Sequence, residues 1–138
     1  MRWSALKKRL VLLFDPGLDV DIHLTGLEKA KSQGAFTHLG LLRIRVDGAV
    51  VWDFPHQFKA SLADHPGVTL ATLMGVLHAY LDLPKNELLT STVPNDPFDL
   101  RLALACMDRR IGKKKLLALA GRPDTPEFVR RILTLRFS

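Results

Sequence analysis

Asp47-Gly48 stands between two runs in which apolar and polar residues alternate: Leu42, Ile44 and Val46 with Arg43 and Arg45 before it, and Val50, Trp52 and Phe54 after it. A two-residue type I′ turn needs positive φ at both central positions, which Asp-Gly accepts, and strict alternation marks strands with one buried face. Residues 36–54 are therefore expected to hold an antiparallel hairpin, with Gly40 a candidate bulge. Upstream, Val20, Ile22 and Leu24 alternate with Asp19, Asp21, His23 and Thr25, the pattern of a further half-buried strand. Trp52 and Phe54 fall on one sheet face, and core packing is the role expected of them.

Helical spacing occupies the rest of the chain. Trp3, Leu6, Leu10, Leu13 and Phe14 form one stripe, which Asp15-Pro16-Gly17 stops. Leu70, Leu73, Met74, Leu77 and Leu81 form another that should end before Pro84, with a short helical turn over residues 85–89. A further helix is expected to start with Asp96 as N-cap, Pro97 in its first position and Asp99 in its first turn. Its stripe runs through Leu100, Leu104, Met107 and Ile111; the next members are Lys114 or Lys115, and apolar residues resume out of phase at Leu116 and Leu119. That break predicts a kink, or two helices meeting, at Gly112. A last helix begins near Thr125-Pro126-Glu127 and buries Phe128, Ile132 and Leu135, while residues 55–67 read as an irregular connection. The order of elements implies an α+β fold: a small antiparallel sheet of about three strands packed by an N-terminal helix and several C-terminal helices. Residues 1–138 are expected to form a single domain.

Composition narrows the setting. Hydrophobic residues at 47% and charged residues at 25% indicate neither disorder nor a membrane class. Residues 1–14 carry basic residues followed by an apolar run, but Asp15-Pro16-Gly17 cuts that run well short of a secretory signal. No stretch approaches the roughly 20 apolar residues of a membrane span. The lone Cys106 has no intramolecular disulfide partner and, within Ala103-Leu104-Ala105-Cys106-Met107, looks like a buried inert thiol. A soluble, cytoplasmic protein is expected, with no membrane contact.

The charge is concentrated. Residues 101–115 hold Arg101, Arg109, Arg110, Lys113, Lys114 and Lys115 against Asp108 alone, six against one, so five of the six formal excess charges fall there. Such focus points to an anionic partner more strongly than a diffusely basic composition does. Two readings of the joint at Gly112 stand side by side. In one, Arg109, Arg110, Lys113, Lys114 and Lys115 bind phosphate or an acidic surface, Asp108 orients an arginine, and Gly112 lets a ligand approach the backbone and the free N–H groups of a new helix. In the other, the cations form a solvated helix end, with Asp108 paired to Arg109 or Arg110. Lys7, Lys8 and Arg9, with Arg2 nearby, form a secondary basic surface that would extend the first if the opening helix packs beside the joint. No aromatic residue accompanies the cations of the joint, so base stacking is not supported.

Met1-Arg2-Trp3-Ser4-Ala5-Leu6-Lys7-Lys8, His23-Leu24-Thr25 with the hairpin, and Asp108-Arg109-Arg110-Ile111-Gly112-Lys113-Lys114-Lys115-Leu116 together resemble a family of small uncharacterised bacterial proteins. Its members open with Trp-Ser-x-Leu-Lys-Lys and carry a late Asp-Arg-Arg-x-Gly-Lys-Arg-x-Leu. This chain departs at Lys114, where arginine is expected, and in its central loop. The resemblance spans most of the chain and implies a shared fold and bacterial-type origin. It implies no reaction.

Catalytic signatures are sparse. Asp19, Asp21, His23 and Thr25 share one strand face and could hold a divalent metal for hydrolysis, or simply form the wet side of a sheet. His38, His56, His65 and His78 show no metal-binding spacing, and His78, bordering an apolar stripe, is expected to pack rather than ligate. The expectation is a non-enzymatic binding protein, without cofactor or metal, that engages nucleic-acid phosphate through the joint. The alternative is a protein-interaction module, an inhibitor or immunity-type regulator, that meets an acidic partner; a small metal-assisted hydrolase ranks third. Oligomeric state is not encoded in any of these patterns.

Overall fold

The computed structural model describes residues 3–26, 40–54, 70–90 and 96–137. Within them run α1 (Trp3–Val11), β1 (Val20–Gly26), β2 (Gly40–Val46), β3 (Ala49–Phe54), α2 (Leu70–Leu81), α3 (Leu100–Met107), α4 (Lys113–Ala120) and α5 (Glu127–Arg136). The fold is α+β, with an antiparallel sheet in the order β1-β2-β3. The connection at 55–67 and His38, His56 and His65 lie outside the described residues.

The hairpin closes as its sequence dictates. Asp47 and Gly48 take φ values of 51° and 85°, the left-handed pair that a type I′ turn demands. Asp47 also secures the neighbouring strand, because its Oδ1 accepts from the Asp19 N–H at 2.9 Å. Ile22, Leu24, Leu42, Ile44, Val46, Trp52 and Phe54 all face the core. Val50 does not join them. The register shifts between Ile44 and Arg45, so that Ile44 pairs with Trp52 but Arg45 with Val50; the extra residue, Val51, turns inward and Val50 is left 36% exposed. The bulge therefore lies here and not at Gly40, which pairs regularly with Gly26.

Helices cover the inner face. α2 crosses β1 and β2, α5 meets β3, and α3 is wedged between α2 and α5. With neighbours on both sides, seven of the eight residues of α3 are buried. The buried face of α2 is Leu73, Val76, Leu77 and Tyr80, rotated from the expected stripe, because α1 and α3 flank it as well as the sheet. Leu70 is left partly in solvent.

The start of α3 also differs from expectation. A 3-10 turn (Pro97–Asp99) precedes it, Phe98 and Asp99 are left-handed at φ 48° and 58°, and Asp99 becomes the N-cap. Tertiary contacts hold that backbone: the Phe98 ring lies 5.9 Å from Phe54 and its carbonyl accepts from Trp52 Nε1 at 3.3 Å. Asp96 still caps α3, one turn further on, by accepting the Arg101 N–H at 3.2 Å.

Candidate functional site

α3 and α4 meet at residues 108–112, and the break expected at Gly112 is a change of helix. Asp108 leaves α3 with extended backbone and forms an isolated bridge with Phe14. Around that bridge Asp15 N donates to Met107 O at 2.8 Å, and Arg109 N to Leu13 O at 2.8 Å. The segment that follows α1 is thus laced to the joint, placing the end of the helix that carries Lys8 and Arg9 beside it.

Asp108 is the anchor. Its side chain is 0% exposed, yet every polar direction is satisfied. Tyr80 Oη donates to Oδ2 at 2.5 Å, the Arg110 backbone N–H to Oδ1 at 2.9 Å, and Arg110 Nε and Nη2 to Oδ1 and Oδ2 at 3.0 and 2.7 Å. Burial by itself would raise this carboxyl; the hydrogen bonds from Arg110 and Tyr80 outweigh it and hold the group below its ordinary value. Tyr80 is driven the other way, by burial first and by the adjacent carboxylate second, so it serves as a neutral donor. The bidentate fork fixes the guanidinium of Arg110 in one orientation.

A second guanidinium closes the joint from behind. Arg136, its side chain 4% exposed, sends Nε to Asp15 Oδ2 at 3.1 Å, Nη1 to Cys106 O at 2.9 Å and Nη2 to Ile111 O at 3.1 Å. The Gly17 N–H is the largest influence lowering the Asp15 carboxyl, opposed by desolvation and aided by Arg136. Cys106 is enclosed, and burial pushes its thiol up to about 12, so it is unreactive at neutral pH.

The cations of the joint therefore separate into two groups. Arg110 is ion-paired, Arg101 Nη1 donates to Leu88 O, and Arg109 Nε donates to Leu12 O at 3.0 Å. Lys113, Lys114 and Lys115 are exposed on the first turn of α4. Lys113 Nζ lies 5.6 Å from the centre of the Phe137 ring; Lys114 and Lys115 enter no ion pair among the described residues. Gly112, the N-cap, has extended backbone and supplies no side-chain cap. A Cβ there would meet nothing within 4 Å, so neither conformation nor packing requires glycine. Of the secondary surface, Lys7 pairs with Asp21 at 3.2 Å, while Lys8 and Arg9 are exposed.

On the outer face of the sheet Asp21 stands opposite Arg45 and His23 opposite Arg43, and Arg43 lies 3.4 Å from Asp53. Asp21, His23, Arg43 and Arg45 line a shallow depression of about 210 Å³. Two guanidiniums there oppose a dication, and among the described residues no three His, Cys, Asp or Glu side chains gather closely enough to share a metal ion. His78 is half-buried on α2.

Sequence spacing missed Tyr80 and Arg136, because each reaches the joint from another element. No local signal marks either one: the need of the Tyr80 hydroxyl for a partner follows from a burial that only the packed helices impose. No described helix is long and apolar enough to cross a membrane. Comparison with curated proteins and with solved structures gave no match. Residues 59–137 match the SF0329 protein family. That stretch takes in the joint and more than half of the chain, and the chain belongs to the SF0329 protein family.

Proposed function

We propose that this protein is a non-enzymatic binding protein that engages nucleic-acid phosphate through the first turn of α4. The observation that carries the reading is the run of three exposed lysines, Lys113, Lys114 and Lys115, at a helix N-terminus that has no side-chain cap. Cations at that end oppose the helix dipole, and an arriving phosphate relieves the conflict while accepting from free N–H groups. Gly112, which the fold does not require, leaves the backbone open to close approach. Lys8 and Arg9 in the last turn of α1 add positive charge on the helix whose trailing segment is hydrogen-bonded to the joint.

Binding of this kind is sequence-tolerant and weakens steeply with salt, because each neutralised phosphate releases counterions. Titration of a fluorescent oligonucleotide over a salt series is the test. Replacing Lys113, Lys114 and Lys115 together by glutamine is expected to lower the slope of log K against log salt by about 2 to 3. The lysines are the right targets, since replacing the arginines would disturb the joint itself. An unchanged slope and affinity in the triple variant sinks the reading.

A second reading, docking of an acidic protein, is favoured by one separate observation. Leu12 is 72% exposed beside Val11, and both line a groove of about 440 Å³ that Arg109 and Asp15 border, the Asp15 carboxylate being paired with Arg136. Exposed apolar residues rimmed by a cation suit a protein partner. Retention of a single acidic protein on the immobilised chain, lost on Leu12→Asp and indifferent to added oligonucleotide, would place that reading first.

A further inference from the structure

Between the 3-10 turn (Lys85–Glu87) and the start of α4 runs a groove of about 460 Å³. Lys85, Arg110 and Lys115 supply its charge, and Leu88, Leu89 and Ile111 its apolar surface; no carboxylate lines it among the described residues. The volume suits a ligand of mononucleotide size, within the usual range of about 300–1,000 Å³ for small-ligand sites. It differs from the lysine turn in shape. Lys114 is exposed to solvent and Lys113 is exposed beside it with its ammonium over the Phe137 ring, whereas Arg110 is recessed, its side chain only 23% exposed.

Arg110 is also built in place. Asp108 takes up Nε and Nη2, which leaves Nη1 as the edge of the fork for a ligand. The guanidinium needs no reordering to receive an acceptor, so little rotamer entropy is lost on binding. A recessed, oriented guanidinium in a groove that Lys85 and Lys115 also line suits an oxyanion that can enter end-on. An internal phosphodiester cannot do this, since strand continues from both of its ester oxygens. A terminal phosphomonoester can: it offers three free oxygens and a charge near −2 above its second pKa of about 6.

We infer, building on the nucleic-acid reading above, that this groove holds the terminal phosphate of a strand, with Arg110, Lys85 and Lys115 on the phosphate and the terminal nucleoside against Leu88, Leu89 and Ile111. The lysine turn engages the internal phosphates of the same strand, and Lys115 belongs to both surfaces. Asn86 and Thr90 also line the groove and offer the terminal nucleoside hydrogen-bonding partners beside the aliphatic side chains.

The test compares three oligonucleotides of one sequence, carrying a 5′-phosphate, a 3′-phosphate or neither, titrated at one salt concentration. A phosphorylated end is expected to bind at least tenfold more tightly than the unphosphorylated strand. Lys85→Gln and Lys115→Gln, both changes at exposed positions that leave the Asp108 pair intact, are each expected to shrink that ratio severalfold. Equal binding of all three oligonucleotides overturns the inference and leaves the broader reading standing. Failure of all three to bind overturns both. A free nucleoside monophosphate that competes as well as the phosphorylated strand would assign the groove to a small molecule and overturn the strand assignment.

Discussion

Arg110 and Lys113 are three positions apart and carry the same charge, yet the fold uses them in opposite ways. Arg110 is locked to a buried carboxylate that Tyr80 shares, and its neighbour Arg109 is tied to the segment leaving α1. Lys113, Lys114 and Lys115 stand out in water on α4, where only Leu116 is buried. A guanidinium keeps its charge when desolvated and matches a carboxylate with two parallel hydrogen bonds, whereas an ammonium is strongly hydrated and stays at the surface. Residue type thus divides a single basic stretch into side chains that the fold fixes in place and side chains that it leaves to solvent.

The largest test of that division is Asp108→Ala. It leaves Arg110 without its counter-charge and Tyr80 without an acceptor, and is expected to lower unfolding stability by about 3 kcal/mol, toward the lower end for a buried pair because Arg110 keeps some water. Urea denaturation measures it. A loss below about 1 kcal/mol would mean that the arginine side is not a framework.

Acid titration separates the two sides next. Asp108 and Asp15 have folded carboxyls below their ordinary value of 3.8. Their stabilisation is fully present above that value and is lost as pH falls through the folded pKa values. Asp96 has the opposite sign: burial, reinforced by nearby Asp99, pushes it up to about 6. Its ionised form opposes folding at neutral pH, and protonation removes that cost. The denaturation midpoint should therefore rise modestly from about pH 7 to about pH 4 and fall below that, and Asp96→Asn should flatten the upper limb. A midpoint that declines steadily from neutrality would contradict the assignment.

The smallest expected effect on stability sharpens the contrast most. Changing Lys113, Lys114 and Lys115 to glutamine should move stability by no more than about 0.5 kcal/mol, and in the stabilising direction, because cations at a helix N-terminus oppose its dipole. A loss as large as that of Asp108→Ala would place the lysines in the framework too.

How much of this was legible depends on how local each cause is. The Asp47-Gly48 turn needs only its own φ preferences, and the phase slip between Ile111 and Leu116 announces the joint without tertiary help. The pairing of Asp108 with one of two adjacent arginines was readable, though the choice of Arg110 was not. The bulge at Ile44 and Arg45 and the rotated face of α2 depend on what packs alongside, so periodicity misplaced them. Tyr80, 28 positions from Asp108, was beyond the reach of local spacing. The groove beside Arg110 was equally hidden, because it joins Lys85 to Lys115 only after α2 and α3 have packed.

One contact sets an order of events. Arg136 reaches back 121 positions to Asp15 and also fastens the carbonyls of Cys106 and Ile111. During synthesis from the N-terminus, the segment after α1 and the joint wait for their clasp until α5 has left the ribosome. The basic turn is thus mounted on a finished base only after α5 has emerged, so a product interrupted before α5 would display the lysines without the scaffold that aims them.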